Sequence, residues 1–292
     1  MGAFRPTVRN TLAFLLLWFS ASALGDVSLW SEISSAKPYS DVAARSRAGV
    51  IFKDRQLRIN REGLNALIEK GLASPQGTFI LHLPRPDGAF AEFEFQPSET
   101  MSPGLARKFP DIRAFSGRSL DRGMASARME VTPAGVSVQV LASEGRWMID
   151  PSDLSDPSVV KSYFGRDAHR SESPFQCGVS DRQRSVRVLK KNPSKAKSPR
   201  ATESLVQSRS RGSELRTYRL AVATTGEYGA YHGGSIEGAL SAVVRVINRV
   251  NGIFNAELAV GFELIEANEA IIFTDPYTDP FEGNSDPDIL ID

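Results

Sequence analysis

The sequence predicts a chain of mixed class, α+β followed by α/β: an antiparallel β-rich unit, a basic linker, and a strand–helix–strand unit. Three observations predict it. Between Thr78 and Ile149, short runs alternate apolar and polar residues and are divided by turn signals, the period of strands with one buried face. From Asp181 to Glu214 the chain is dense in Lys and Arg, is punctuated by Ser and Pro, and has no apolar period. After Glu214, two alternating segments flank one long helical apolar face.

Composition excludes several classes. The 292 residues carry 35 Lys+Arg against 34 Asp+Glu, and 41% are hydrophobic, which argues against a wholly disordered chain and against one built mainly to hold nucleic acid. A single cysteine rules out an internal disulfide scaffold. The length suits one or two domains.

Met1–Gly25 reads as a secretory signal peptide. Arg5 and Arg9 form its positive start, Leu12–Phe19 its apolar stretch, and Ala23-Leu24-Gly25 its small-residue cleavage region. The apolar run from Thr11 to Leu24 is shorter than the roughly 20 residues a spanning helix needs. The mature chain is therefore expected to begin near Asp26, to lie outside the cytoplasm (extracellular or periplasmic), and to have no membrane span.

In the β-rich unit, Gln56–Asn60 reads as a strand, and Arg61–Lys70 as a helix with Leu64, Leu67 and Ile68 on one side. Thr78–Leu83 and Ala89–Phe95 form a hairpin about the turn Pro86-Asp87-Gly88. Ala127, Met129 and Val131, then Val136, Val138 and Val140, repeat the alternation on either side of Pro133-Ala134-Gly135. Arg146–Ile149 is one more strand. The unit reads as an antiparallel meander with a small helix. His82 lies on one of its strands with no second histidine near it in sequence, which favours a structural role over a metal ligand.

The segment from Asp181 is expected to be a flexible linker, because it lacks the apolar surface to repay ordering. No aromatic residues interleave its charges, so nucleic acid is not expected as a partner. Lys190, Lys191, Arg209 and Arg211 are its candidate processing sites, since proteolytic nicking concentrates in exposed, unstructured segments.

Arg216–Thr224 reads as a strand. Ser235 follows Gly233-Gly234 as a helix N-cap, with Glu237 in the first turn. Leu240, Val243, Val244, Ile247 and Val250 form one helical face, and the helix is expected to end near Gly252. Glu257–Ile265 resumes alternation, giving a right-handed βαβ crossover and a partly parallel sheet. Ile271–Phe273 is a further short strand candidate. Asp275, Asp279, Glu282, Asp286 and Asp288 then cluster in a loop without EF-hand spacing, read as solvated rather than calcium-binding. An apolar run, Ile289-Leu290-Ile291, begins just before the last residue and suggests a cut inside a fold.

The one cysteine carries a resemblance. Cys177-Gly178-Val179-Ser180-Asp181 is similar to the cysteine-switch motif in the propeptides of secreted metzincin proteases, where matrixins have Cys-Gly-Val-Pro-Asp and reprolysins Cys-Gly-Val. Ser180 stands where matrixins have proline. Leu215–Ala223 resembles the opening strand of bacterial reprolysin-like zinc metallopeptidases, and the next helix and strand fit the following elements. The resemblance implies a signal peptide (1–25), a reprolysin-type propeptide (26–180), a basic linker (181–213) and an incomplete metzincin-like α/β catalytic domain (214–292). It implies zinc as the family's cofactor, polarising the scissile carbonyl and activating water in the full-length protein. It also implies protein or peptide substrates, a contact between prosegment and catalytic domain, and Cys177 as a latency ligand on zinc. The family's His-Glu-x-x-His-x-x-Gly-x-x-His signature is absent, and no two of His82, His169 and His232 are four apart. No catalytic residue is therefore assigned, and the chain by itself is expected to be inactive. The alternative is a non-catalytic exported module, related to metalloprotease propeptides, that binds or inhibits.

Overall fold

The computed structural model describes residues 29–33, 50, 51, 53–121, 124–152, 156–169 and 214–281. The signal-peptide reading, the linker and Cys177 lie outside them. The described elements are β1 (Trp30–Glu32), β2 (Val50–Ile51), β3 (Arg55–Ile59), α1 (Arg61–Leu72), β4 (Phe79–Pro84), β5 (Phe90–Pro97), α2 (Pro103–Lys108), β6 (Arg113–Ser119), β7 (Ser126–Thr132), β8 (Gly135–Ala142), β9 (Gly145–Pro151), β10 (Val159–Phe164) and β11 (Ala168–His169). The C-terminal unit adds β12 (Arg216–Leu220), α3 (Gly226–Tyr231), α4 (Ile236–Leu258) and β13 (Val260–Leu264).

Nine strands form one antiparallel sheet in the order β1-β3-β10-β9-β8-β7-β6-β5-β4. Six consecutive strands, β4 to β9, are a meander, as the alternation predicts. The sheet curls until its two ends meet. The Trp30 indole N–H on β1 donates to the His82 carbonyl on β4 at 2.8 Å, and the Ser162 hydroxyl on β10 donates to the Pro84 carbonyl at 2.8 Å. Inside the curl, Leu57, Leu81, Phe93, Phe95, Phe115, Met129, Val138, Trp147 and Ile149 pack into one core with Leu64 and Ile68 of α1. Asn60 caps that helix, its side chain accepting from the Gly63 N–H at 2.9 Å.

The C-terminal unit is strand, helix, strand. β12 and β13 run parallel, Tyr218 opposite Phe262, and α4 connects them by way of α3. Ser235 caps α4 as expected, accepting from the Gly238 N–H at 3.0 Å. Three boundaries differ from the sequence reading. α4 continues to Leu258, where Ala259 takes a left-handed conformation with φ 54°. β12 stops at Leu220. Ile272 makes only an isolated bridge, to Thr224.

α4 lies against the outer face of β6 and β7. A second core results, and both units build it. Met101, Leu105, Ile112 and Ala114 come from the sheet unit; Ala239, Leu240, Val243, Val244, Leu264 and Ile272 come from the C-terminal unit. Backbone joins backbone as well. The Leu264 N–H donates to the Thr100 carbonyl at 2.8 Å, and the Ser102 N–H donates to the Leu264 carbonyl at 3.0 Å. Thr100-Met101-Ser102 thereby adds a short parallel rail beside β13.

Candidate functional site

The densest polar chemistry lies where α4 crosses the outer face of the sheet. On α4, Arg245, Asn248 and Arg249 are three and four residues apart and so share one side of the helix. Opposite them, Glu130 sits on β7 with its side chain on the face away from Met129 and Val131, as strand alternation requires.

Asn248 is wholly buried and organises the seam. Its Oδ1 accepts from Ser98 Oγ (3.0 Å) and Thr100 Oγ1 (3.1 Å). Its Nδ2 lies 2.6 Å from Glu130 Oε1 and 3.3 Å from the carbonyls of Phe115 and Met129. Beside it, Arg249 Nη2 donates to Asp150 Oδ1 on β9 at 2.6 Å, and the Tyr163 hydroxyl on β10 donates to Asp150 Oδ2 at 2.7 Å. At the rim, Lys108 Nζ reaches Glu269 Oε1 at 2.6 Å.

Burial sets the charge states. It pushes the Glu130 carboxyl up to about 7; Arg249 and the Asn248 hydrogen bond oppose the shift, Asp150 adds to it, and Arg245 opposes it weakly. Burial also works against the Arg249 charge, but Asp150 and Glu130 more than offset it, and its pKa rises. Burial, with Asp150 adding, raises the Tyr163 hydroxyl. A polar cavity of about 350 Å³ opens next to the seam, lined in part by Ser98, Arg128, Thr217, Asn251 and Asn255.

Two further asparagines stand in for strand ladders. Asn251 on α4 exchanges reciprocal hydrogen bonds with the backbone of Phe262, both at 2.8 Å. Asn268 does the same for Val222, at 2.9 and 3.2 Å. These bonds fix α4 and the segment after β13 to the parallel pair.

Most of the residues singled out in the sequence lie where the structure describes nothing. Cys177, Lys190, Lys191, Arg209 and Arg211 lie outside the described residues, as do Glu282, Asp286 and Asp288. His82 is half-buried on β4, its Nε2 3.8 Å from Glu92 Oε1. His169 is on β11, paired with Val50. His232 ends α3, its ring 4.5 Å from that of Tyr228 and 4.9 Å from that of Tyr231. Burial, reinforced by Arg245, lowers its pKa and so favours the neutral ring. Asp275 spends its carboxylate on Tyr277 N–H and Thr278 Oγ1, and Asp279 accepts from the N–H groups of Gly226 and Phe281. Both acids close turns.

Zinc does not fit here. Among the described residues, no three His, Cys, Asp or Glu side chains cluster as metal ligands. No helix among them is long and apolar enough to cross a membrane.

The parallel strand–helix–strand unit is the part of the chain that known proteins illuminate. Residues 214–289 match the family model described as Metallo-peptidase family M12B Reprolysin-like. No curated protein matches the chain. The reprolysin-like segment thus contains α4, β12 and β13, and it supplies one side of the polar seam. Members of the M12B family are zinc-dependent metallopeptidases.

Sequence reasoning missed Glu130, Asp150, Asn248 and Arg249. One signal existed: Asn248 and Asn251 interrupt, at helical spacing, a segment otherwise rich in Val and Ile.

Proposed function

We propose that this chain is the N-terminal portion of a secreted, zinc-dependent metalloendopeptidase precursor of the reprolysin-like type. In this reading residues 1–25 export the chain, 26–180 are the prosegment, 181–213 are the cleavable linker, and 214–292 open the catalytic domain. Cys177 is the latency ligand for zinc, and Lys190, Lys191, Arg209 and Arg211 are the processing positions. Substrates are proteins or peptides. The supporting observation is the family match over residues 214–289, whose described part, 214–281, contains the parallel strand–helix–strand of an α/β unit.

The sequence carries three histidines and no His-Glu-x-x-His signature, so the reading needs the zinc-binding histidines to come from outside these 292 residues and places peptide-bond hydrolysis there. That same observation favours a second reading, a non-catalytic exported module that binds or inhibits a related protease. The gene separates the two. Expressing its full reading frame should yield a protein that holds one zinc per chain and cleaves a protein substrate after the linker is cut. Cys177→Ala should raise the activity of the uncut precursor. A natural stop after codon 292, or a full-length product without zinc, would reject the precursor reading in favour of the module.

A further inference from the structure

The polar seam has a property that packing alone does not require. Glu130 and Asn248 have no exposure to solvent, and Glu130 Oε2 and Arg249 Nε have no hydrogen-bond partner among the described residues. Apolar side chains of similar volume hold such a seam at least as well as buried charges do. What the charges add is specificity between two surfaces and a dependence on protonation.

The two surfaces come from opposite ends of the chain. Glu130 and Asp150 belong to the sheet unit, and Asn248 and Arg249 to α4. We propose that the Glu130–Asn248–Arg249–Asp150 cluster is a latch that keeps residues 29–169 and 214–281 paired after the intervening chain is cut, and that it loosens as pH rises. The proposal rests on the contacts between the two units and stands apart from the peptidase reading.

Retention follows from the contacts. The second core is shared, Thr100–Ser102 extends the parallel strands, and Arg249–Asp150 joins half-buried partners whose side chains are 20% and 18% exposed. None of these contacts passes through the segment between Glu214 and His169.

The pH dependence has one origin. The charged and titratable groups facing Glu130 are Arg245 and Arg249 on α4, Asp150 on β9 with Tyr163 of β10 bonded to it, and Arg128 on β7 itself. In the pair, burial holds the Glu130 carboxyl at about 7, against an ordinary 4.5 once separation returns it to water. Between those values the pair binds a proton that the separated units release. Pairing is therefore strongest at acid pH and weakens as pH rises through about 7. From pH 6 to pH 8.5 this linkage amounts to a roughly tenfold weaker association.

The test uses the full chain with a site-specific protease site inserted between Lys191 and Arg200. After complete cutting, association of the two fragments is measured by sedimentation with one fragment labelled, at pH 6 and 8.5 and constant ionic strength. The fragments should co-sediment at micromolar concentration at pH 6 and dissociate about tenfold more readily at pH 8.5. Glu130→Gln, which keeps an acceptor for Asn248, should abolish the pH dependence. Separation at pH 6, pairing that ignores pH, or a slope that persists in Glu130→Gln would each overturn the proposal. Should that variant misfold, NMR titration of the Glu130 carboxyl in the intact chain decides: a midpoint near 7 supports the latch, and one near 4.5 overturns it.

Discussion

Asn248 shows how one amide can be worth more than its apolar neighbours. It satisfies donors from Ser98 and Thr100 and offers its own N–H groups to Glu130 and two backbone carbonyls. Asn248→Ala should strand several of these groups in a dry seam, at a cost of about 2–3 kcal/mol, read as a lower urea midpoint with an unchanged slope. Glu130 makes the complementary prediction. Its folded pKa lies above the unfolded value, so its contribution is fully present below about 4.5 and is lost as pH rises through about 7. The intact protein should unfold at lower urea at pH 8 than at pH 5.5, and Glu130→Gln should flatten the difference. The sequence does not announce either residue. A lone Glu on an alternating strand and a lone Asn on a helix both read as solvent-facing; Glu130 does point away from the curl's core, yet both side chains are buried, because Asn248 lies on the side of α4 that meets the sheet. What periodicity leaves out is that another element covers that outward face.

The same limit operates on whole elements. The β4–β5 and β7–β8 hairpins were legible because Phe79, Leu81, Leu83, Ala91, Phe93 and Phe95, then Met129, Val131, Val136, Val138 and Val140, alternate cleanly and all end inside the curl. β6 and β10 were not. β6 carries Gly117, over which the Phe95 ring lies so closely that a Cβ there would meet the ring at 2.5 Å, and β10 buries Ser162 by giving its hydroxyl to the Pro84 carbonyl. A small or polar residue at an inward position breaks the pattern a reader looks for. The helix end was misplaced for a related reason: Gly252 sits inside α4 because the Arg128 stem packs on it, while the stop is an alanine in left-handed backbone. α3 has its own requirement for glycine. A Cβ at Gly229 would stand 2.4 Å from the Phe273 carbonyl oxygen, so this short helix can rest directly on the segment after Ile272. Gly229→Ala should shift that contact and cost about 1–3 kcal/mol, with faster hydrogen exchange at Gly226–Tyr231 than in the parent. Ser235→Ala, by contrast, should cost only about 1 kcal/mol, the loss of one cap.

At the scale of the molecule, the two units that the sequence suggests share a core. Ten buried residues make the second core, four of them from one unit and six from the other, so neither unit closes it alone. The intact chain should therefore unfold in one transition by near- and far-ultraviolet circular dichroism. Leu105→Ala, a change in the sheet unit costing about 2–4 kcal/mol, should lower amide protection in β13 as well as in α2. Two well-separated transitions would show the units to be independent. The curl of the large sheet has a different consequence. A flat sheet ends in two unpaired rails, each an invitation to a strand from another molecule. Here the indole of Trp30 and the hydroxyl of Ser162 stitch one end to the other with side chains, where no ladder among the described residues closes the gap. That stitch is a guard against aggregation, and Trp30→Phe, which keeps the bulk and loses the N–H, should leave a soluble monomer more prone to form fibrillar, thioflavin-binding assemblies on storage.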